Sequence, residues 1–409
     1  MKVLLIHRWF WPDSPPYASM LRSISVQLAA DGHEVTVLTA QPSYTAATAA
    51  RKMPRRQTLD GVQVRRCRLL RESKGNLPLR ALNMLLFMFA IFAHILLRRK
   101  RNRYDVVMAS TMPPVLVAAM ARVCARLRGG VFVYHMMDIY PEIALTSGMA
   151  KRGLLTRWLA GVDRRNCARA ARVVVLSSDM EQALYARGLT NENVVVFNNF
   201  QLEAFDGEGS MPAGLEKPEG SFRLLFAGNI GRFQGLENII EALALIDDLP
   251  ELRLDLLGDG AGRAALEQLA GDRLDKTVFF HGYQPLENAV HVIATADLGL
   301  ITLSPEIYRL AYPSKTMTYL GVGAPLLLAI ESDSSLARMV EAEGIGYHAP
   351  QADPEALAAA IRRAVAEKGD LGAKRQRAKA LAEREFTASA VLPRWLRLFQ
   401  ELAAERHTS

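Results

Sequence analysis

The sequence predicts a two-domain α/β protein with doubly wound parallel sheets, and three observations predict it. The chain has 409 residues, enough for two cores of ordinary size. From Lys2 onward short apolar runs alternate with helical patterns, which is the order of a parallel sheet with covering helices. The stretch Gln201 to Gly220 is rich in Gly, Glu and Pro and has the composition of a linker. The expected division is therefore a domain over 1–200, a linker over 201–220, a second domain over 221–385 and a last helix over 386–409.

Half of the residues are apolar, which excludes a disordered chain. Cys67, Cys124 and Cys167 are scattered, lack metal-ligand spacing and cannot all pair, so a reducing compartment is expected. The opening MKVLLIHRWF is too short and too quickly polar for a signal peptide, and the expectation is a cytoplasmic start.

The first strand, Lys2 to His7, leads into the loop RWFWPDSPPYAS and a helix marked by Met20, Ile24 and Leu28 that stops at Gly32. Val35 to Leu38 is the next strand, so the loop lies at the carboxyl edge of a doubly wound sheet. Trp9, Phe10, Trp11, Pro15 and Pro16 make it apolar and stiff. They either fold back onto the core or form a wall of an acceptor site or a membrane-facing lip.

Net charge is +8, and its distribution is uneven. Arg51 to Arg103 holds fifteen Lys/Arg against Asp60 and Glu72, a net of +13 that leaves the rest of the chain near −5. At its centre lies Leu82 to Leu97, LNMLLFMFAIFAHILL, followed at once by RRKRNR. Sixteen residues fall short of the roughly 20 that cross a bilayer, and Asn83 and His94 weigh further against a span. A buried core helix is a second reading. The favoured one is a helix in the membrane interface, because basic residues flank it on both sides where anionic headgroups would meet them. A nucleic-acid surface would carry aromatic and polar groups between its charges, so no nucleic acid is expected.

Asp105 to Ala109 is a strand, the loop STMPPV follows, Val115 to Leu127 is a helix and Val131 to Tyr134 a strand. HMMDIYPE then sets His135, Asp138 and Glu142 at a strand end. Three ionisable groups at the carboxyl edge of a parallel sheet make a candidate site, although a lone histidine there is commonly structural. Leu154 to Ala171 is an arginine-rich helix and Val173 to Leu176 a strand, with Val194 to Phe197 the last strand of the domain.

The second domain opens with Phe222 to Phe226 and then AGNIGRFQGLENIIEAL, whose Gly228, Gly231 and Gly235 suit close approach of backbone to a ligand. Leu252 to Leu257 ends in GDGAGR; Arg263 stands where a dinucleotide fingerprint needs its third glycine. Val278 to His281 precedes Gly282, Tyr283 and Gln284. Leu298 to Leu303 is a buried strand before a loop with Pro305 and Pro313. A short helix opens at Ser314 and Lys315, where Ser314 can cap and Lys315 brings a full charge to an anion site, and Leu326 starts the next strand. Ser335 to Glu343 and Asp353 to Glu367 are helices, and the tail buries Val391, Trp395, Leu398 and Leu402 on one face of another. Asp247-Asp248 is read as a helix end, so no acidic pair asks for a metal.

The run PSKTMTYLGVGAP resembles the donor-site element of family-four retaining glycosyltransferases of the GT-B fold, in the branch that includes bacterial N-acetyl-fucosamine transferases acting on lipid-linked sugars. HMMDIYPE and the GNIGRFQGL turn are similar to elements of that family, and the likeness covers almost the whole chain. It implies two Rossmann-like domains facing across a cleft, with the last helix crossing back to brace the first. It implies a nucleotide-sugar, with a lean to UDP, on the second domain and the acceptor on the first, with transfer retaining and free of metal or other cofactors. Because the basic apolar segment would hold the first domain at the cytoplasmic face of the inner membrane, the expected acceptor is a polyprenyl-diphosphate-linked saccharide there.

Carried over by position, the implied donor set is Gly228, Asn229, Gly231, Arg232, Gln234, Gly258, Gly260, Tyr283, Gln284, Glu306, Ser314, Lys315 and Thr318. His135, Asp138 and Lys315 are the catalytic candidates, and Trp9, Trp11, Tyr17 and Glu142 the acceptor candidates. Where many members carry a glutamate pair for the ribose, this chain has Leu310 and Thr318, with Glu306 a nearby substitute. Asn229 and Gln234 replace the usual arginine and lysine, so the charge for the diphosphate comes from Arg232 or Lys315. A sugar-nucleotide epimerase of the same fold and a non-catalytic membrane scaffold are the two rival readings.

Overall fold

Short runs rich in Val, Ile and Leu become parallel strands buried on both faces, and the amphipathic stretches between them become the covering helices. The computed structural model describes residues 1–13, 15–70, 76–97, 103–190, 192–201, 209–231 and 234–408. The chain divides into two compact units, Met1–Asn198 with Val391–Ser409, and Asn199–Ala390.

Unit 1 runs β1 (Lys2–Ile6), α1 (Pro16–Ala30), β2 (Glu34–Ala40), α2 (Ala46–Ala49), β3 (Arg56–Leu59), β4 (Val62–Cys67), α3 (Leu77–Leu97) and β5 (Val106–Ala109). It continues through α4 (Leu116–Arg128), β6 (Val131–His135), α5 (Glu142–Thr146), α6 (Leu154–Ala168), β7 (Arg172–Val175), α7 (Ser178–Tyr185) and β8 (Val194–Val196). The sheet order is β3-β4-β2-β1-β5-β6-β7-β8, parallel except for the β3–β4 hairpin. Strand order reverses between β1 and β5, so the loops leaving those two strands part from each other and open a crevice at the carboxyl edge.

The hairpin falls inside the basic window, where the sequence reading placed no strand. Its signal was Asp60-Gly61: both residues have positive φ, the conformation an Asp-Gly hairpin turn requires. It takes up part of the basic charge, since Arg66 is buried and donates to the Trp11 carbonyl at 3.0 Å.

Helix α3 packs one face only, which corrects the reading of a helix buried all round. Phe87 and Ile91 are buried, and buried Asn83 pairs with the backbone of Leu70, accepting from its N–H and donating to its carbonyl, each at 2.8 Å. Leu82, Leu85, Phe89 and Phe92 face solvent. Among the described residues no helix is long and apolar enough to cross a membrane. The RRKRNR segment lies outside the described residues up to Asn102.

Unit 2 runs β9 (Phe222–Ala227), α8 (Glu237–Ala244), β10 (Leu252–Leu257), α9 (Arg263–Ala270), β11 (Val278–His281), α10 (Leu286–Ala294) and β12 (Leu298–Thr302). Then follow α11 (Lys315–Gly321), β13 (Leu326–Ala329), α12 (Ser335–Glu343), β14 (Gly346–Ala349), α13 (Pro354–Ala366) and α14 (Leu371–Glu385). The sheet is parallel throughout, in the order β11-β10-β9-β12-β13-β14, around a core that includes Leu224, Phe226, Leu254, Leu300 and Leu327. Its reversal point lies between β9 and β12.

Ser334 caps α12 by accepting from Ala337 N–H at 3.2 Å, and Asp353 caps α13 by accepting from Ala356 N–H at 2.9 Å. Helix α14 was not anticipated: it is mostly polar, and its apolar face reduces to residues such as Ala378, Leu381 and Ala382. Asp247-Asp248 does not end a helix as expected; α8 stops at Ala244, and Asp248 instead accepts from Arg362 at 2.8 Å.

The last helix, α15 (Ala388–Thr408), returns to unit 1 from Val391 on. The face expected from its spacing, Val391, Trp395, Leu398 and Leu402, is buried, with the Trp395 ring 4.8 Å from that of His135 and 5.3 Å from that of Phe197. Arg172 and Glu405 close the contact with a 2.5 Å ion pair.

Candidate active site

In unit 2 the site is built where β9 and β12 end. Gly228 continues β9 with φ +141°, a conformation for glycine, and the turn then packs against the end of β12. A Cβ on Gly235 would lie 2.9 Å from the Leu303 carbonyl oxygen, and Thr302 Oγ1 donates to the Gln234 carbonyl. These contacts carry Gln234 to the first turn of α11, where Lys315 Nζ donates to Gln234 Oε1 at 2.7 Å. The ammonium also sits 3.6 Å from the centre of the Phe226 ring, and its Cε passes 3.9 Å from where a Gly228 Cβ would be. Among the described residues no carboxylate pairs with it. Burial lowers its pKa to about 7, although part of the side chain still reaches solvent.

The helix is held by a residue that sequence reasoning missed. Tyr319 Oη accepts from Ala227 N–H at 2.8 Å, tying α11 to the end of β9. Its ring occupies the space a side chain at Gly299 would take, 2.6 Å from a Cβ there. A glycine inside the apolar strand LGLIT was the available signal.

Several expected donor residues take other roles. Gly258 and Gly260 are glycine because the neighbouring turn fills their side-chain space. A Cβ on the first would lie 1.9 Å from the Gly228 oxygen, and one on the second 2.3 Å from the Ile230 oxygen. The same close packing sets the two turns at the carboxyl ends of β9 and β10 against each other. Ser314 does not cap α11: its own backbone is helical and its exposed hydroxyl makes no capping bond, while Thr316 Oγ1 donates to the Pro313 carbonyl at 2.8 Å.

Glu306 has φ +64°, its N–H donates to Glu331 Oε1 at 2.7 Å, and its carboxylate pairs with Arg309 at 3.3 Å. Asn229 and Tyr283 are exposed, Gln284 and Thr318 partly so, and Gly231 accepts from Gln234 N–H at 3.2 Å. Arg232 lies outside the described residues. Leu310 is buried, consistent with an apolar residue at that position.

In unit 1 the candidate residues lie at or beyond the ends of β1 and β6, the strands on either side of β5. Phe10 folds into the core, while Trp9 and Trp11 stay partly exposed. Trp9 Nε1 donates to Ser43 Oγ at 3.3 Å, and its ring meets Tyr44 edge-on at 5.5 Å. The Trp11 ring carries the Arg22 guanidinium at 5.7 Å. Asp13, missed from sequence, pins this loop by accepting from Ser43 and Tyr44 N–H at 3.0 and 2.9 Å.

Tyr17 lies between two histidine rings, 4.6 Å from His7 and 5.2 Å from His135, with its Oη 3.2 Å from His135 Nδ1. Burial lowers the pKa of His135 to about 3, so the ring is neutral at physiological pH; Tyr17 and Trp395 wall it in, and its buried Nε2 has no hydrogen-bond partner among the described residues. Asp138 has no hydrogen-bond or ionic partner among the described residues, and burial raises its pKa to about 6. Glu142 is held by Arg187, which also binds Asp163 at 2.9 Å, and Asp163 accepts from Tyr134 Oη at 2.9 Å. No hydrogen bond or ion pair joins His135, Asp138 and Glu142 to one another among the described residues. Unit 2 thus offers a cation to an anion, and unit 1 a carboxyl group that titrates near neutrality. Among the described residues no three His, Cys, Asp or Glu side chains gather as a metal site.

Residues 17–199 match the glycosyl transferase 4-like domain, and residues 209–384 match the domain of glycosyl transferases group 1. The chain is 27% identical over 378 residues to the putative colanic acid biosynthesis glycosyl transferase WcaI of Escherichia coli, covering 89% of this chain and 92% of that one. Among solved structures it is similar to sucrose-phosphate synthase from Thermosynechococcus elongatus, with TM-score 0.70, 16% identity and 99% of each chain covered. It is also similar to Anabaena HepE in complex with UDP, with TM-score 0.69, 16% identity, and 98% of this chain and 100% of that one covered. At such identities the structural likenesses establish the fold: two α/β domains with parallel sheets, the GT-B arrangement.

Proposed function

The chain is a glycosyltransferase, a glycosyl transferase 4-like domain followed by a group 1 domain, and from that premise we propose that it moves a sugar from a UDP-sugar to a lipid-linked saccharide in bacterial cell-surface polysaccharide assembly. The observation that carries the donor half is Lys315, a cation with no carboxylate paired to it among the described residues, at the reversal point of the unit 2 sheet. As the sugar leaves, negative charge grows on the departing diphosphate, and an ammonium already in place stabilises it without reorganisation. Gln234 orients that ammonium, and the glycine turn at Gly228 leaves room beside it.

The N-acetyl-fucosamine-transferase-like branch, the retaining outcome and the independence from metal rest on the resemblance of PSKTMTYLGVGAP and GNIGRFQGL to that family. The lipid-linked acceptor and a peripheral place on the cytoplasmic face of the inner membrane rest on α3, whose exposed Leu82, Leu85, Phe89 and Phe92 lie within the basic window. Asp138 is the group of unit 1 suited to bind an acceptor hydroxyl.

The test is a panel of UDP- and GDP-sugars incubated with membrane extract and purified protein. Transfer from one UDP-sugar to lipid-extractable material is expected, with the anomeric configuration read by NMR, and Lys315→Ala should abolish it. Isomerisation of the free nucleotide-sugar with no transfer would favour an epimerase. No nucleotide-sugar binding by calorimetry would favour a scaffold.

A further inference from the structure

Helix α3 is not the sole place in unit 1 where large apolar side chains face solvent among the described residues. Leu154, Leu155 and Trp158, in the first turns of α6, are 84%, 67% and 56% exposed, and Met149 just before them is also mainly exposed. This is an ordered turn: Gly153 N–H donates to Thr156 Oγ1 at 2.9 Å, and Thr156 Oγ1 donates back to the Gly153 carbonyl at 3.0 Å. On the neighbouring α4, Leu127 is exposed as well.

The same two helices present only positive charge to solvent. Helix α4 carries Arg122, Arg126 and Arg128 and no acid. Helix α6 carries Arg157, Arg164 and Arg165, with Arg169 following. Its one acid, Asp163, is buried and taken up by Arg187 and Tyr134. Arg122 Nε donates to Asn166 Oδ1 at 3.1 Å and locks the two helices together. Burial first, and then the charges of Arg169, Arg165 and Arg126, hold Arg122 below the usual guanidinium range. Among the described residues no carboxylate pairs with Arg126, Arg165 or Arg169. A like-charged cluster of this kind gains from an anion, and α4 packs against α3 as well as α6, so the three helices lie side by side.

We propose that α4 and α6 form a second docking face for an anionic bilayer, in which Leu154, Leu155 and Trp158 enter the interface while Arg122, Arg126, Arg165 and Arg169 meet the lipid phosphates. The proposal rests on the reading of this protein as one that works on a lipid-linked acceptor. Tryptophan suits the headgroup level, with an apolar ring and one N–H donor, and flanking arginines add attraction that falls with salt. A second copy of the chain would bring the same positive charge and be repelled. Nucleic acid would meet the arginines but leave the leucines in water.

Sedimentation with vesicles of phosphatidylcholine, with and without about one-third phosphatidylglycerol, tests it on the full chain. The unaltered protein should bind the anionic vesicles and release at high salt. The triple variant Leu154→Ser/Leu155→Ser/Trp158→Ser, with α3 intact, should lose about tenfold or more in partition. Arg165→Gln/Arg169→Gln should lose about tenfold at low salt and show a weaker salt dependence. All five substituted sites are exposed, and an unchanged thermal midpoint confirms folding. Equal binding of neutral and anionic vesicles, or partition of both variants like the unaltered protein, overturns the proposal. UDP titration of the same samples keeps the two readings apart: absence of UDP binding counts against the proposed UDP-sugar transfer, whereas the vesicle comparison alone decides the docking face.

Discussion

Lys315 Nζ reaches Gln234 Oε1 at 2.7 Å across 81 residues of sequence, and in doing so joins the turn after β9 to the helix after β12. The amide is a neutral partner, so the ammonium keeps its charge deficit for a ligand. Its folded pKa, about 7, is depressed from 10.5. The unfolded chain therefore binds more protons between those values, and stability rises with pH through that window. Below about pH 7 the desolvation penalty is complete. Lys315→Met should accordingly stabilise the ligand-free protein at pH 6, by on the order of 1–2 kcal/mol in denaturant titration, and lose the gain near pH 10. UDP affinity by calorimetry should fall at least tenfold. A variant that binds UDP normally would remove Lys315 from the site.

Affinity should follow the same group. The free ammonium is charged below about pH 7, and a bound diphosphate raises its pKa, so UDP should bind more weakly as pH rises from 7 to 9. Calorimetry in two buffers of different ionisation enthalpy should register proton uptake on binding near pH 8, and Lys315→Met should abolish it.

Gly258→Ala asks whether the glycine turns are rigidly coupled. Its φ is +146°, and a Cβ would lie 1.9 Å from the Gly228 oxygen, so the turn beside Lys315 must move. A loss of about 2–4 kcal/mol in stability is expected, together with weakened UDP binding. Wild-type behaviour in both assays would show the contact to be easily relaxed.

Asp138→Asn separates stability from acceptor chemistry. The folded pKa, about 6, lies above the ordinary aspartate value of 3.8, so the folded protein holds the extra proton between them. The penalty for the buried charge is absent below about pH 4 and complete above about pH 6. The variant should gain on the order of 1–2 kcal/mol at pH 7.5 relative to its behaviour at pH 4, while transfer falls about a hundredfold and UDP affinity stays unchanged. Undiminished transfer would exclude Asp138 from acceptor chemistry.

Arg223 and Asp255, both fully buried, pair at 2.8 Å inside the unit 2 sheet. Arg223 also donates to the carbonyls of Leu215 and Glu216, each at 3.0 Å, fastening the segment before β9. Arg223→Ala leaves a buried carboxylate short of a partner and three acceptors unfilled, Thr295 Oγ1 included. A loss of about 3–5 kcal/mol is expected in the denaturant transition of unit 2. A loss under about 1 kcal/mol would mean that water enters and replaces the guanidinium.

Much of the fold was legible in the sequence because its cause is local. Parallel strands buried on both faces must be apolar along their length, and Leu298 to Leu303 or Leu252 to Leu257 could be placed on that ground alone. The Val391, Trp395, Leu398 and Leu402 face followed from helical spacing in the same way. The β3–β4 hairpin and α14 escaped because charge masked the first and a thin alanine face the second.

What the sequence by itself determined is the alternation of strands and helices, and the presence of a lysine and a run of glycines near strand ends. Only the tertiary structure decided that Gly258 and Gly260 pack on the neighbouring turn, that His135 is buried behind Tyr17 and Trp395, and that Lys315 pairs with Gln234 and, among the described residues, with no acid. The reason is physical: periodicity reports what a residue does to its own segment, whereas desolvation and counter-charge are set by atoms from strands far apart in the chain.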